Sequence, residues 1–164
     1  MTPGPRYVVN TPRLGPLARR SVYAVGLVLL ISGAAWLALH TWVRIPGAFG
    51  PEHHPAESWL MRLHGLAALP ALAGLGALLA RHVGPGWRVH RRRTSGLGVL
   101  AVSGVLALGG WGLYYVAGDT ARQWLAVSHW LLGLALPGLV LWHVIGARRE
   151  RGAEAWTARQ RPGL

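Results

Sequence analysis

Eight histidines and no cysteine set the chemistry open to this 164-residue chain. Without a thiol there is no disulfide, no thiolate metal site, no iron–sulfur cluster and no C-x-x-C-H attachment of haem, so any metal chemistry falls to imidazole. Four of the histidines, His64, His82, His129 and His143, lie within or at the ends of strongly apolar runs. Hydrocarbon solvates an imidazole poorly, and polar side chains at that depth are paired or functional. His129 and His143 are 14 residues apart. At about 100° and 1.5 Å per residue they share one helix face at a separation of about 21 Å. His64 and His82 are 18 residues apart, five full turns and about 27 Å along the axis. If the two helices run in the same direction, His64 lies level with His129 and His82 level with His143. Two facing imidazoles with room for a flat macrocycle between them supply both axial ligands of a haem iron, and bundle cores are a usual place for such a cofactor.

A porphyrin also needs space and counter-charge. Gly133 lies one turn from His129, Gly26 and Gly33 are seven apart, and Gly98 and Gly109 are eleven apart. Each pair lines one helical face, where a bare backbone can receive the edge of a ring. Haem propionates call for cations: Arg62 and Arg122 are the basic residues nearest the His64/His129 level, and Arg81, Arg88 and Arg93 those nearest the other. His40, His53, His54 and His90 are expected at interfaces or in loops. The stretch PEHHPAE, residues 51–57, offers Glu52, His53, His54 and Glu57 for a metal or for a periplasmic carrier, and reads as a polar loop because adjacent histidines do not readily share one ion. Glu57 and Asp119 as proton acceptors, and Tyr114 and Tyr115 as ring contacts, are the candidates for a quinone edge, although each residue type is common at interfaces.

The elements that must position these residues are helices. Apolar residues make up 52% of the chain and gather in four blocks, each long enough for the roughly 20-residue crossing of a bilayer. The blocks predict spans near residues 21–43, 58–83, 95–117 and 122–147, hence an all-α integral membrane four-helix bundle of antiparallel up-down topology, with tails at 1–20 and 148–164. Pro70 and Pro137 fall inside the second and fourth spans and are candidate kinks. The formal charge of +12 does not form a nucleic-acid patch, because the basic residues flank the apolar blocks. Fourteen of the seventeen arginines precede the first block, join the second to the third or follow the fourth. With four spans those segments share one side, and the positive-inside rule makes both termini cytoplasmic, with membrane lipid as the surrounding partner.

The H-x13-H spacing of His129 and His143, with histidines on the second helix and paired glycines on the first and third, resembles the four-helix di-haem b-type cytochromes. These are the bacterial cytochrome b561-like proteins, the membrane subunits of hydrogenases and formate dehydrogenases, and the haem-bearing half of respiratory cytochrome b. The resemblance covers residues 21–147 and is most specific in the fourth helix. It implies two non-covalent haems b, the outer held by His64 and His129 and the inner by His82 and His143, with Arg62 and Gly133 contributing to the binding site. It also implies electron transfer across the bacterial inner membrane between a quinone pool and a periplasmic redox partner, as a subunit of a quinone-linked oxidoreductase, alone, as a homo-oligomer or in a larger complex. The second helix departs from the pattern with H-x17-H, an offset of about 6 Å that tilt or a proline kink can absorb. Two other classes fit four apolar helices: a haem-free anchor or assembly subunit, and a small metal transporter, which would favour broken helices or a polar file over two ligand levels.

Overall fold

The computed structural model describes residues 15–80 and 93–160. Helix α1 spans Pro16–Trp42, a ribbon pairs β1 (Ile45–Gly47) with β2 (Gly50–Glu52), and α2 spans Ala56–Leu78; α3 spans Arg93–Tyr115 and α4 spans Asp119–Gln160. Each helix contains a segment of at least 22 residues that is long and apolar enough to cross a membrane, against the roughly 20 residues hydrocarbon requires. This is the architecture of an all-α, multi-pass membrane protein.

Local chemistry sets the ends. Pro16 enters α1 in the first turn, where its fixed φ is already helical and its missing N–H is not needed. The helix stops when Val43 turns extended, with φ −112°, and the chain passes into the ribbon. Gly50 follows the two-residue link at φ 128°, a conformation that side-chain-bearing residues rarely adopt. Between α3 and α4 the Val116 N–H donates to the Gly112 carbonyl and the Arg122 N–H to that of Gly118, and Gly118 itself takes φ 101° to reverse the chain. Asp119 then sits in the first turn of α4, where the helix dipole favours a carboxylate.

The helices pack as two hairpins, α1 on α2 and α3 on α4, with thinner contacts between α1 and α4 and between α2 and α3. The register within each hairpin is antiparallel. Moving away from the ribbon, His40 meets Glu57, Ser32 meets His64 and Val22 meets Gly74. Moving away from the Gly118 turn, Leu125 meets Gly112, His129 meets Gly109, Leu139 meets Gly98 and His143 meets Ser95.

Packing is apolar outside and small or polar inside. The buried positions include Ser32, Ala67, Ser95, Gly109, Gly146 and the carboxylate of Glu57. Leu27, Ile31, Leu66, Leu69, Leu108, Leu131 and Leu141 face outward. Lipid supplies no hydrophobic drive to hide such residues, and small side chains let membrane helices approach closely. At the loop end, Trp42, Trp59, Trp111, Tyr114, Tyr115 and Trp124 are all exposed, the placement expected of an aromatic belt at the headgroup level.

The helices differ from the sequence reading mainly at their polar ends. α1 begins at Pro16, and α4 continues to Gln160 through residues read as part of a tail. The ribbon was not expected. Both Pro70 and Pro137 lie inside continuous helix. A proline ring presses on the carbonyl four residues earlier, which for Pro137 is Gly133, so that glycine has a local backbone reason as well as a packing one.

Candidate functional site

Two histidine centres occupy the end of the molecule that carries the ribbon and the Gly118 turn. The deeper one joins the hairpins. His64 on α2 and His129 on α4 face each other with ring centroids 6.3 Å apart and planes inclined by 69°. Two imidazoles bonded on opposite sides of one metal at about 2 Å per bond, with the nitrogen roughly 1.2 Å from its ring centre, have centroids about 6 Å apart. The observed spacing fits a shared metal.

The nitrogen that His64 offers follows from its neighbour. Ser32, buried on α1, has its Oγ 2.7 Å from the Val28 carbonyl, 3.2 Å from that of Leu29 and 3.0 Å from Nδ1 of His64. A hydroxyl has one hydrogen and two lone pairs. When that hydrogen goes to the helix carbonyls, Oγ accepts from Nδ1–H, and the His64 lone pair lies on Nε2. Hydrogen bonding of one imidazole nitrogen to orient the other is the usual way a ligating ring is fixed.

His129 is held differently. Its Nδ1 is buried and has no hydrogen-bond partner among the described residues, a loss of about 1–3 kcal/mol for a polar atom removed from water. Glycines shape both ring positions. A Cβ on Gly33 would stand 3.2 Å from Cε1 of His64, and one on Gly110 would stand 3.2 Å from Cε1 of His129; from Gly109 the nearest atom is His129 Nδ1 at 3.5 Å. Gly33 and Gly109, named from the sequence as rests for a haem edge, here lie against the imidazoles of His64 and His129. Their partners by spacing do not: a Cβ on Gly26 meets nothing, and one on Gly98 meets only Leu139. Gly133 faces Leu106 at 3.9 Å. Arg62 is exposed, with its guanidinium 4.7 Å over the Trp59 ring. The donor set, the metal-compatible spacing and the glycine relief beside both rings fit a bis-imidazole haem at this level.

At the far end of the hairpins, His143 on α4 has Nδ1 2.9 Å from Oγ of Ser95, which is buried on α3. Gly96 lies beside the ring, at 3.5 Å from Cε1 for an added Cβ. The serine-held histidine thus recurs at the second level. His82, its expected partner, lies outside the described residues, as do Arg81, Arg88 and His90.

The second centre, at the rim, was only half visible in the sequence. Glu57, in the first turn of α2, receives Nδ1 of His40 at 2.9 Å on Oε2 and Nδ1 of His53 at 3.1 Å on Oε1. The carboxylate is buried and the two imidazoles are about half exposed. Trp36, His40 and His53 form a three-ring stack with 4.5 Å steps and nearly parallel planes. His40, expected at an interface, joins the cluster. Glu52 and His54 do not: Glu52 folds over Gly47, and Nδ1 of His54 accepts from the Ala56 N–H. Sequence reasoning also missed Ser32, Ser95, Gly96 and Gly110. The two serines had a faint signal, as hydroxyls at positions that the apolar pattern assigns to helix interiors.

No protein-family model matches the chain, and no curated protein or solved structure matches it.

Proposed function

We propose that the protein is a membrane electron-transfer cytochrome of b type, with one haem between His64 and His129 and a second at the level of His143, where His82 is the other ligand. The observation that carries the reading is the 6.3 Å approach of His64 and His129 across two separate hairpins, beside glycines that leave room for both rings. A bound haem supplies one-electron redox chemistry. The chain supplies the rest: Ser32 orients Nε2 of His64 through Nδ1, Ser95 holds Nδ1 of His143, and the apolar helix surfaces exclude water and lower the local dielectric around the ligands.

The levels of His129 and His143 are 14 residues apart on one helix, about 21 Å along the axis, and that spacing supports transfer across most of the hydrocarbon thickness. The arginine-poor end, with Glu57 and Asp119, is the periplasmic side, where a redox partner docks; the arginine-rich termini are cytoplasmic in a bacterial inner membrane. A quinone is the diffusible partner that fits a chain with no large extramembrane domain among its described residues.

The test is haem content. Protein purified from haem-replete cells should carry two equivalents of protoporphyrin haem per chain by pyridine haemochrome assay, both low-spin by electron paramagnetic resonance. Colourless protein would reject the reading in favour of a haem-free anchor. A reporter fused after Leu164 should work only if it functions in the cytoplasm; periplasmic activity would invert the orientation.

A further inference from the structure

The rim cluster has the composition of a site for a small cation, and it is separate from the buried pair. Among the described residues, Glu57 has no ion pair to an arginine. Arg44, close in sequence to His40, spends its guanidinium on the carbonyls of His40 and Val43. A largely buried carboxylate whose partners among the described residues are two imidazoles has the setting of a cation ligand, since buried charges are paired or bind metals. The stack on Trp36 holds the His40 ring beside Glu57 before any ion arrives, which removes part of the ordering cost of binding.

We propose that His40, His53 and Glu57 bind one divalent transition-metal ion of the zinc class at the outer rim of the bundle. One ligand atom from each residue lies within 4.8 Å of the others, and the two nitrogen–oxygen separations are 2.9 and 3.1 Å. The edges of a tetrahedron with bonds of about 2.0–2.1 Å are roughly 3.3 Å long, close to these separations. Because the two rings are stacked nearly parallel, an ion in the plane of both imidazoles requires one ring to turn out of the stack, and His53, half exposed in its loop, has the room to do so. With the ion on Nδ1 the ring proton sits on Nε2, where the exposed part of the ring can donate it to water. Two imidazoles and a carboxylate suit zinc or copper(II), lack the soft ligands copper(I) selects, and are too nitrogen-rich for calcium or magnesium. Three protein ligands leave a fourth position for water or for a group from a partner. The ion would join the end of α1, the loop after the ribbon and the start of α2, fastening the turn above His64.

The test uses the full chain in detergent, stripped with chelator and titrated with zinc chloride in a calorimeter. One equivalent per chain should bind, and His53→Ala and Glu57→Gln should each weaken it by about tenfold or more. His53 lies in a loop with its ring about half exposed, so its removal leaves the helix packing in place. Absorption fine structure at the zinc edge, blind to haem iron, should show two imidazoles and an oxygen. No saturable uptake, or uptake that both variants retain, overturns the proposal. Haem content read on the same samples keeps this result distinct: a colourless chain that binds zinc would sink the cytochrome reading alone.

Discussion

The same side chain is used in opposite ways about two helical turns apart. At the rim, His40 and His53 stand half in solvent, hydrogen-bonded to a carboxylate and stacked on a tryptophan. At the deeper level, His64 and His129 make no ion pair among the described residues, with a serine behind one ring and glycines beside both. The first setting opens two imidazoles and their carboxylate to water; the second packs two imidazoles among small, uncharged neighbours in an apolar host. Depth and neighbours, not residue type, separate the two roles.

The comparison can be broken most directly with His129→Ala, which should remove one of two haem equivalents and leave the His143 level in place; loss of both with intact folding would mean that the levels are not independent. Gly33→Val should come next. Its side chain starts within contact of the His64 ring, so the ring must move, and most of the same haem should be lost by the haemochrome assay. Gly26→Ala, in open space on the same helix, should leave haem content unchanged, and a loss there would remove the steric argument. Ser32→Ala keeps both ligands but deletes the acceptor behind His64. It should weaken haem retention by about 10–100-fold and raise the midpoint potential on the order of tens of millivolts, because a less basic imidazole stabilises ferric iron less. The smallest effect belongs to His53→Ala. Haem spectra should be unchanged, and any loss would show that rim and interior form one centre.

Much of the frame was legible because lipid imposes a coarse rule. Four long apolar blocks must be helices, since an unpaired backbone in hydrocarbon is prohibitive, and counting residues along them placed His64 and His129 at one depth. The ends were less legible. Hydropathy reports where lipid stops, not where a helix does, and the residues after Arg148 are rich in alanine, arginine and glutamate, good helix formers with no wish to be in lipid. The rim cluster was hidden because its partners are brought together by a ribbon and a turn: His40 and Glu57 are 17 residues apart, across a loop whose path no periodicity encodes. Ser32 and Ser95 were hidden for another reason. One hydroxyl in a membrane helix looks like any other small packing residue until the imidazole opposite it is known.

The continuity of α4 has a mechanical consequence. Its apolar run ends at Ala147, before Arg148 and Arg149, yet the helix runs thirteen residues further to Gln160, about 20 Å of additional rise. A cargo fused there is mounted on a post rather than tied to a string. Each residue inserted before it would lift it by about 1.5 Å and swing it by about 100°, so a fluorophore carried at Gln160 should show distances to the bilayer that step and rotate with insertion length instead of blurring.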